Sequence, residues 1–279
     1  MAVAALFFSA MAVCVKLVPR LPVIQVVFLR AFFAGILCFA TIKAQGTYLW
    51  GYRRGLLVWR GIFGTGGLVA YFTTLHYLPL ATATVLQYLS PIFTAVIGAL
   101  FLGEAVGVAR WLCFTVSFCG VAVMKGFDPS VSWLQLGVGV FGALSAALAY
   151  SCIARLKTTE DPQVIMFYFP LITCPLTLPF TIAQWVPPTG KEWLILLATG
   201  AFVQAAQYFM TLSYQHGRPG AVSIVSYLGV VLALFWDVTL FQAEPSSGAL
   251  LGIALVVGGV IASALLHRET PARNSDKIA

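Results

Sequence analysis

Charged residues are scarce in this chain of 279 residues. Asp, Glu, Lys and Arg together make up 9% of it, whereas soluble domains carry about a quarter. Hydrophobic residues make up 60%, and the sole asparagine, Asn274, lies in the polar C-terminal segment. Because a soluble domain of this size cannot hide so much apolar surface in one core, the composition excludes an ordinary water-soluble domain. The solvent that suits such a chain is lipid.

The motifs of several classes of site are also missing. The sequence contains no Walker A, HExxH or GxSxG motif, and no second acid deep within an apolar run that could pair with Asp237 as a protease dyad. The letters GVGVFG (Gly137–Gly142) match a dinucleotide-binding fingerprint, but they lie inside an apolar run rather than between a strand and a helix. Six cysteines lie in apolar runs without a metal-ligand spacing, which favours packing roles. We therefore expect no enzymatic activity, no cofactor and no metal site.

Long apolar runs are abundant instead. About 20 apolar residues suffice to cross a bilayer as a helix. The chain has ten such runs: 1–18, 22–42, 57–77, 80–102, 106–125, 133–154, 163–185, 191–213, 219–241 and 247–267. The first run lacks the basic start of a signal peptide, so we expect it to be a membrane span. The connecting loops are too short for a soluble domain, and residues 268–279 form a polar tail.

The basic residues indicate how these spans are oriented. In a soluble protein the net charge of +7 would favour nucleic-acid binding, but here the charges lie between apolar runs, which favours positive-inside placement. With a cytoplasmic N-terminus, Arg20, Lys125 and Lys191 fall outside. Eleven basic residues then fall on the inner side: Lys43, Arg53, Arg54, Arg60, Arg110, Arg155, Lys157, Arg218, Arg268, Arg273 and Lys277. The bias predicts that both termini are cytoplasmic and that nucleic acid is not a partner.

An internal repeat divides the chain in two. YFTTLHY (71–77) and YFMTLSY (208–214) agree at five of seven positions, and they close the third and eighth spans. Tyr88-Leu89 and Tyr227-Leu228 match in the next spans, and Glu104 and Glu244 follow those spans. The pattern predicts two halves of five spans, 1–126 and 132–267. Because five is odd, the second half is inverted, as in alternating-access transporters. Chance similarity between two aromatic-rich helices remains the alternative.

The stretch from Arg60 to Glu104 resembles a known family. It contains Arg60-Gly61, YLPLATAT, LSPIF and a closing LGE, and FLR (Phe28–Arg30) precedes it. These elements are similar to the EamA domain of the drug/metabolite transporter superfamily. The second half matches less well, because SYLGVV and FQAE replace YLSPIF and FLGE.

This resemblance implies an all-α polytopic membrane protein with ten transmembrane helices in two inverted five-helix repeats around a central cavity. It also implies a bacterial inner-membrane location and a small-molecule substrate, such as an amino-acid-like compound, an opine-type metal chelator, a nucleobase-like metabolite or a vitamin. Many members are exporters. A facilitative uniporter, an importer and a membrane scaffold remain alternatives.

Ionisable side chains within a span are costly and are therefore candidates for function. Arg30 lies eight residues beyond Pro22, roughly 12 Å deep at 1.5 Å per residue, and a guanidinium at that depth suits a carboxylate or phosphate. On the sequence alone it is the single deep positive group, although a structural pair with Asp237 is the alternative. Asp237 is a candidate for proton coupling, and Lys16 a candidate for the gate or the substrate; snorkelling to the surface would also explain Lys16.

Neutral polar residues complete the predicted cavity. We expect Gln87, Tyr88, Gln204, Gln207 and Tyr227 to contact the substrate together with Arg30. Gln204 and Gln207 lie about one turn apart and so share a helix face. Each tyrosine could instead be an interfacial anchor or an interhelical bond. By contrast, Tyr71, Tyr77 and Tyr214 are expected to serve in packing.

Prolines and small residues indicate where helices bend or approach one another. Pro91 in the fourth span and Pro175 in the seventh remove backbone hydrogen bonds, so we expect kinks beside the site. Harmless curvature is the alternative. Gly248 and Gly252 form a GxxxG motif, which permits close helix contact either within the chain or in a homodimer.

Overall fold

The protein is all-helical in the part that the computed structural model describes, residues 1–46, 48–102, 107–127, 132–156, 159–216, 225 and 227–266. Its helices are α1 (Ala2–Lys16), α2 (Val23–Gln45), α3 (Arg54–Tyr77), α4 (Leu80–Gln87), α5 (Ser90–Leu102), α6 (Val108–Phe127), α7 (Trp133–Leu156), α8 (Pro162–Ala183), α9 (Gly190–His216), α10 (Leu228–Thr239) and α11 (Ser247–Leu266). Glu104, the start of the ninth predicted span and the tail 268–279 lie outside the described residues.

The helices form a polytopic membrane protein. Five segments are long and apolar enough to cross a bilayer: Val23–Gln45, Arg54–Tyr77, Trp133–Ile153, Pro162–Ala183 and Gly190–Met210. Shorter apolar helices accompany them. Because α4 and α5 follow one another through one span, the described helices make ten spans, as the sequence predicts. Short loops make successive spans alternate between two faces, here called the N-terminal face, where α1 and α3 begin, and the opposite face.

The packing of the helices repeats with two-fold pseudosymmetry. The equivalent helices of the two halves are α1 and α7, α2 and α8, α3 and α9, α5 and α10, and α6 and α11. Helix α3 packs along α7, and the exchange of equivalents turns this pair into α9 on α1, which is also observed. Helices α2 and α6 each pack against their own equivalents, α8 and α11. These pairings confirm the predicted fold of two inverted five-helix repeats.

Tyr88 and Tyr227 mark the pseudosymmetry axis. They occupy equivalent positions, and their ring centroids lie 5.0 Å apart at an interplanar angle of 60°. Residues that touch their own equivalents must lie near the axis that relates the halves. The same place interrupts the helices, since α4 ends at Gln87 and α10 begins at Leu228. Pro91 contributes to this break because it cannot donate a backbone hydrogen bond to the carbonyl of Gln87.

Glycines allow α3 to approach its neighbours closely. A Cβ atom on Gly61 would lie 2.7 Å from the Ile172 side chain of α8, and one on Gly67 would lie 3.1 Å from the backbone nitrogen of Ala146 in α7. In the GVGVFG segment of α7, a Cβ on Gly142 would lie 3.0 Å from Ala70. These glycines therefore serve helix packing, and the last glycine of the segment that mimics a nucleotide-binding loop is one of them.

The GxxxG motif of α11 makes an intramolecular contact. A Cβ on Gly120 of α6 would lie 2.8 Å from the carbonyl oxygen of Gly252. Close by, the Ser117 hydroxyl donates to the carbonyl of Val256 over 3.3 Å. The close contact of α6 and α11 thus passes Gly252 of the motif, and a homodimer remains an expectation from the sequence.

Helices α2 and α8 are joined at both faces. At the opposite face, the Gln25 amide donates to the Val186 carbonyl over 2.7 Å and accepts from the Val186 amide over 3.0 Å. At the N-terminal face, the Tyr168 hydroxyl donates to the Trp50 carbonyl over 2.8 Å, and Glu160 accepts from the Tyr52 amide over 2.7 Å. Pseudosymmetry relates the two sets of contacts, because each ties one helix to the loop that flanks the other.

Candidate functional site

A cavity of about 180 Å³ lies between the halves. Residues from α2, α3, α7, α8 and α9 and the end of α4 line it. Its polar lining consists of Arg30, Arg60, Tyr71, Gln87, Tyr150, Gln204 and Gln207. Ile153 and Met166, which also line it, lie near the ends of α7 and α8 at the N-terminal face. The cavity therefore extends from the middle of the bundle toward that face.

Arg30 projects into this cavity from α2. The residue is 8% exposed, and its Nε and Nη1 atoms are buried without a hydrogen-bond partner among the described residues. Its guanidinium carbon lies 5.3 Å from the centroid of the Phe72 ring. An aromatic face offsets only part of the cost of a buried cation. The remaining donors can bind a carboxylate or a phosphate.

Arg60 is a second cation in the same cavity, which the sequence analysis missed. Its Nε and Nη1 atoms are also buried without a hydrogen-bond partner in the described part of the chain, and its guanidinium lies 4.9 Å from the Phe169 ring centroid. The charge bias of the sequence placed it with the basic residues on the inner side. Arg60 lies six residues after Arg54, where an apolar helix begins. This position was the sequence feature that could have indicated its burial. Arg30 is therefore not the single deep positive group.

Amide side chains come from both halves. Gln87 closes α4, while Gln204 and Gln207 lie on one face of α9, as their spacing predicts. The Gln204 Nε2 atom donates to the Cys38 sulfur across 3.7 Å. Tyr71 also lines the cavity, although the sequence analysis assigned it to packing. The cavity thus combines cations from the first half with amides that both donate and accept.

Tyr88 and Tyr227 lie beside this cavity rather than in its lining. They pack on one another at the helix break, directly after Gln87. The Tyr88 hydroxyl sits over Gly229, where a Cβ would come within 2.6 Å of it. The contact between Tyr88 and Tyr227 therefore joins the middles of the two halves. Tyr88 directly follows Gln87, which lines the cavity.

Asp237 lies at the opposite face, away from the cavity. Its carboxylate accepts from the backbone amides of Leu80 over 2.9 Å and Ala81 over 2.8 Å, and Lys16 lies 3.4 Å away. The Lys16 ammonium also donates to the carbonyl of Leu78 over 3.1 Å. The first amides of a helix lack internal partners, and a carboxylate there is stabilising. We call this group, formed by Lys16, Leu80, Ala81 and Asp237, the opposite-face latch.

Further contacts close the same face. Arg20 and Glu192 form an ion pair at 2.6 Å, and Arg20 also donates to the Pro187 carbonyl over 2.8 Å. The hydrogen bond with Glu192 raises the pKa of Arg20 above its usual value. Below these groups lies part of the buried apolar cluster, including Val18, Leu21, Leu75, Leu78 and Leu80. Between the halves, these contacts therefore close the opposite face, whereas the cavity extends toward the N-terminal face.

The two predicted hinge prolines lie outside the cavity lining. Pro91 is exposed at the second position of α5, and Pro175 lies within a continuous α8, whose Pro170 does reach the cavity. Among the residues that the structure describes, no group of three or more His, Cys, Asp or Glu side chains could hold a metal ion.

Comparisons with known proteins agree with this architecture. The sequence model of the EamA-like transporter family matches residues 1–125 and 133–265. The pseudopaline exporter CntI of Pseudomonas aeruginosa (strain UCBPP-PA14) is 31% identical over 258 residues, which cover 91% of each chain. The S-adenosylmethionine uptake transporter of Rickettsia prowazekii (strain Madrid E) is 24% identical over 85% of this chain and 81% of its own length.

One solved crystal structure has the same fold. It superposes with a TM-score of 0.65 at 25% sequence identity and covers 95% of both chains. The match of the family model to nearly the whole chain and the relative at 31% identity establish the same relationship. The chain is a multi-pass membrane transporter and belongs to the EamA-like transporter family.

Proposed function

We propose that this protein exports a small carboxylate-bearing metabolite across a bacterial inner membrane by alternating access. Two repeats, 1–126 and 132–267, would move against each other around the cavity, with both termini and the tail 268–279 in the cytoplasm. The observation that carries the proposal is Arg30, which is nine-tenths buried in the cavity between the halves and whose Nε and Nη1 donors have no hydrogen-bond partner in the described part of the chain.

The energetics of Arg30 favour an anionic ligand. A guanidinium within an apolar bundle loses its hydration, and that loss is tolerable when an oxygen anion replaces the water. A carboxylate fits two parallel N–H groups of a guanidinium. Gln204 and Gln207 add donors and acceptors from the other half. A ligand held by both halves can stabilise their closure around it.

The two faces of the protein support loading of the cargo from the cytoplasm. The basic residues favour a cytoplasmic N-terminal face, and the cavity extends toward that face while the opposite-face latch closes the other. A protein in this state can load its cargo from the cytoplasm, the first step of export. The similar protein of Pseudomonas aeruginosa is an exporter, of pseudopaline, which supports the same direction and an opine-type metallophore as one cargo to test.

Uptake is the second candidate, because four similar proteins from Rickettsia species are S-adenosylmethionine uptake transporters at 22–24% identity. The geometry of the cavity serves either direction, since alternating access is reversible and its direction depends on gradients. A facilitative uniporter would use the same cavity without a coupling ion. A membrane scaffold, by contrast, would tolerate the loss of Arg30.

Metabolite profiling inside and outside cells tests the proposal. The strains carry the gene deleted, restored, restored as Arg30→Ala, or restored as Arg155→Gln, which removes an exposed charge at the end of α7. Export predicts that a carboxylate-bearing compound accumulates in the deletion strain and in Arg30→Ala, while Arg155→Gln behaves as wild type. Depletion of the compound in the deletion strain would reverse the direction. Equal profiles in all strains would favour the scaffold.

A further inference from the structure

We infer that the cavity accepts a compound with two anionic groups, such as a dicarboxylate, rather than a monocarboxylate or a simple zwitterion. The inference rests on the proposed function in taking this cavity as the cargo site. It follows from two cations in one cavity: Arg30 and Arg60 each bury Nε and Nη1 without a hydrogen-bond partner among the described residues.

The acids of the described residues lie outside the cavity lining. The sequence has nine Asp and Glu residues, and none of the described residues that line the cavity is among them. Two acids fall within the described helices, Asp237 and Glu192, and both are paired at the opposite face. Glu160, at the N-terminal face, is bonded to backbone amides. Among the described residues, the cavity lining therefore has two guanidinium groups and no carboxylate to balance them.

This imbalance selects the charge of the ligand. Like charges repel strongly in a medium of low dielectric constant, so a ligand ammonium would add a third cation to the cavity. A single carboxylate could neutralise one arginine and would leave the other buried and unpaired, which is costly. A compound with two anionic groups pairs both. The rings of Phe72 and Phe169 offset part of the remaining cost.

The positions of the arginines also constrain the shape of the ligand. Arg60 lies six residues from the start of α3, roughly 9 Å along the helix, whereas Arg30 lies 15 residues from the end of α2, roughly 22 Å from the same face. The guanidinium groups therefore reach the cavity from different depths. Two anionic groups at separate ends of a short chain match this arrangement better than one phosphate does.

The size of the cavity sets the length of that chain. The cavity has a volume of about 180 Å³ and continues toward the N-terminal face. Such a space suits a compound of a few carbon atoms, and a larger cargo would extend toward the N-terminal face.

Ligand-dependent melting of the purified full-length protein tests this inference. The probes are succinate, glutarate and adipate, the monomethyl ester of each, and alanine, all at one ionic strength. We expect at least one diacid to raise the melting temperature at a concentration at least tenfold lower than its half-ester or alanine. Arg60→Gln should abolish the preference for diacid over half-ester, whereas Arg155→Gln should keep it.

A conservative variant separates charge from folding. Arg60→Lys retains a cation and should keep a preference for the diacid. If Arg60→Gln without ligand melts far below wild type, the comparison of Arg60→Lys with wild type takes its place. Equal responses to diacids and half-esters, tighter binding of alanine, or no response to any diacid would each overturn the inference. Failure here together with an export defect of Arg30→Ala leaves the proposed function intact. Binding of diacids without an export defect would instead refute export and keep the dianion site.

Discussion

The carboxylate of Asp237 lies where the first amides of α4 point, and this contact joins the two halves of the molecule. Asp237 is 2% exposed and bonds to Leu80 and Ala81, while Lys16 supplies the countercharge. As a lone acid in an apolar run it was a candidate for proton coupling, a role that stays a prediction. Its partners give it a structural task that the run FWDVTLF does not reveal.

Replacement of Asp237 by asparagine should open the opposite face. Asn cannot offer two anionic oxygens to the amides of α4, so we expect a loss of about 2 kcal/mol and at least a tenfold rise in access to buried groups nearby. Cys14, buried on α1 two residues before Lys16, is a native reporter. The measurement is the labelling rate of Cys14 by a membrane-impermeant maleimide, in a chain whose other cysteines are replaced.

The matched control is Glu192→Gln, which breaks a different ion pair at the same face. It should leave the labelling rate of Cys14 within twofold of the rate in the chain without the substitution. An unchanged rate in Asp237→Asn would show that the latch does not hold this face closed.

At the scale of the helix, two devices shape the cavity. The break between α4 and α5 places Gln87 at the end of a short helix, beside the Tyr88–Tyr227 contact. The glycines of α3 bring that helix close to α7 and α8, and this proximity carries Arg60 into the lining. Pro91 predicted an interruption of the fourth span. The structure shows that the interruption lies between Gln87, where α4 ends, and Ser90, where α5 begins.

Addition of a side chain at Gly61 should separate α3 from α8. In Gly61→Val the new Cβ would meet Ile172 at 2.7 Å, so we expect an overpacking cost of about 1–3 kcal/mol. Gly55→Val is the control, because a Cβ there meets nothing within 4 Å. Melting temperatures in detergent distinguish the two variants. Equal stability of both would mean that the helix contact is looser than described.

For the whole molecule, pseudosymmetry is strong in the packing of the helices and weak in their chemistry. Equivalent contacts join α2 and α8 at both faces. The latch has no such equivalent in the sequence, because the first-half counterpart of the segment around Asp237 is the apolar run IFTAVIGALFL. The charged contact at the opposite face therefore has no counterpart in this segment of the first half.

The orientation of the whole molecule is testable with two single cysteines. Gln45 is exposed at the end of α2 on the N-terminal face, and Gln184 is exposed after α8 on the opposite face. The charge bias predicts that an impermeant maleimide labels Gln184→Cys in intact cells and Gln45→Cys only after permeabilisation. The reverse pattern would place the N-terminal face outside and would turn the proposed loading step into uptake.

The sequence by itself determined the solvent of this protein, the ten spans and the inverted repeat, because long apolar runs and a repeated heptad are local properties of the chain. Only the tertiary structure decided that Arg60 joins Arg30 in one cavity, that Tyr88 and Tyr227 touch, and that Asp237 caps α4. Those contacts depend on the rotation of each helix about its axis. Since lipid and the bundle interior are both apolar, the pattern of a membrane helix encodes that rotation weakly, and packing against neighbouring helices sets it.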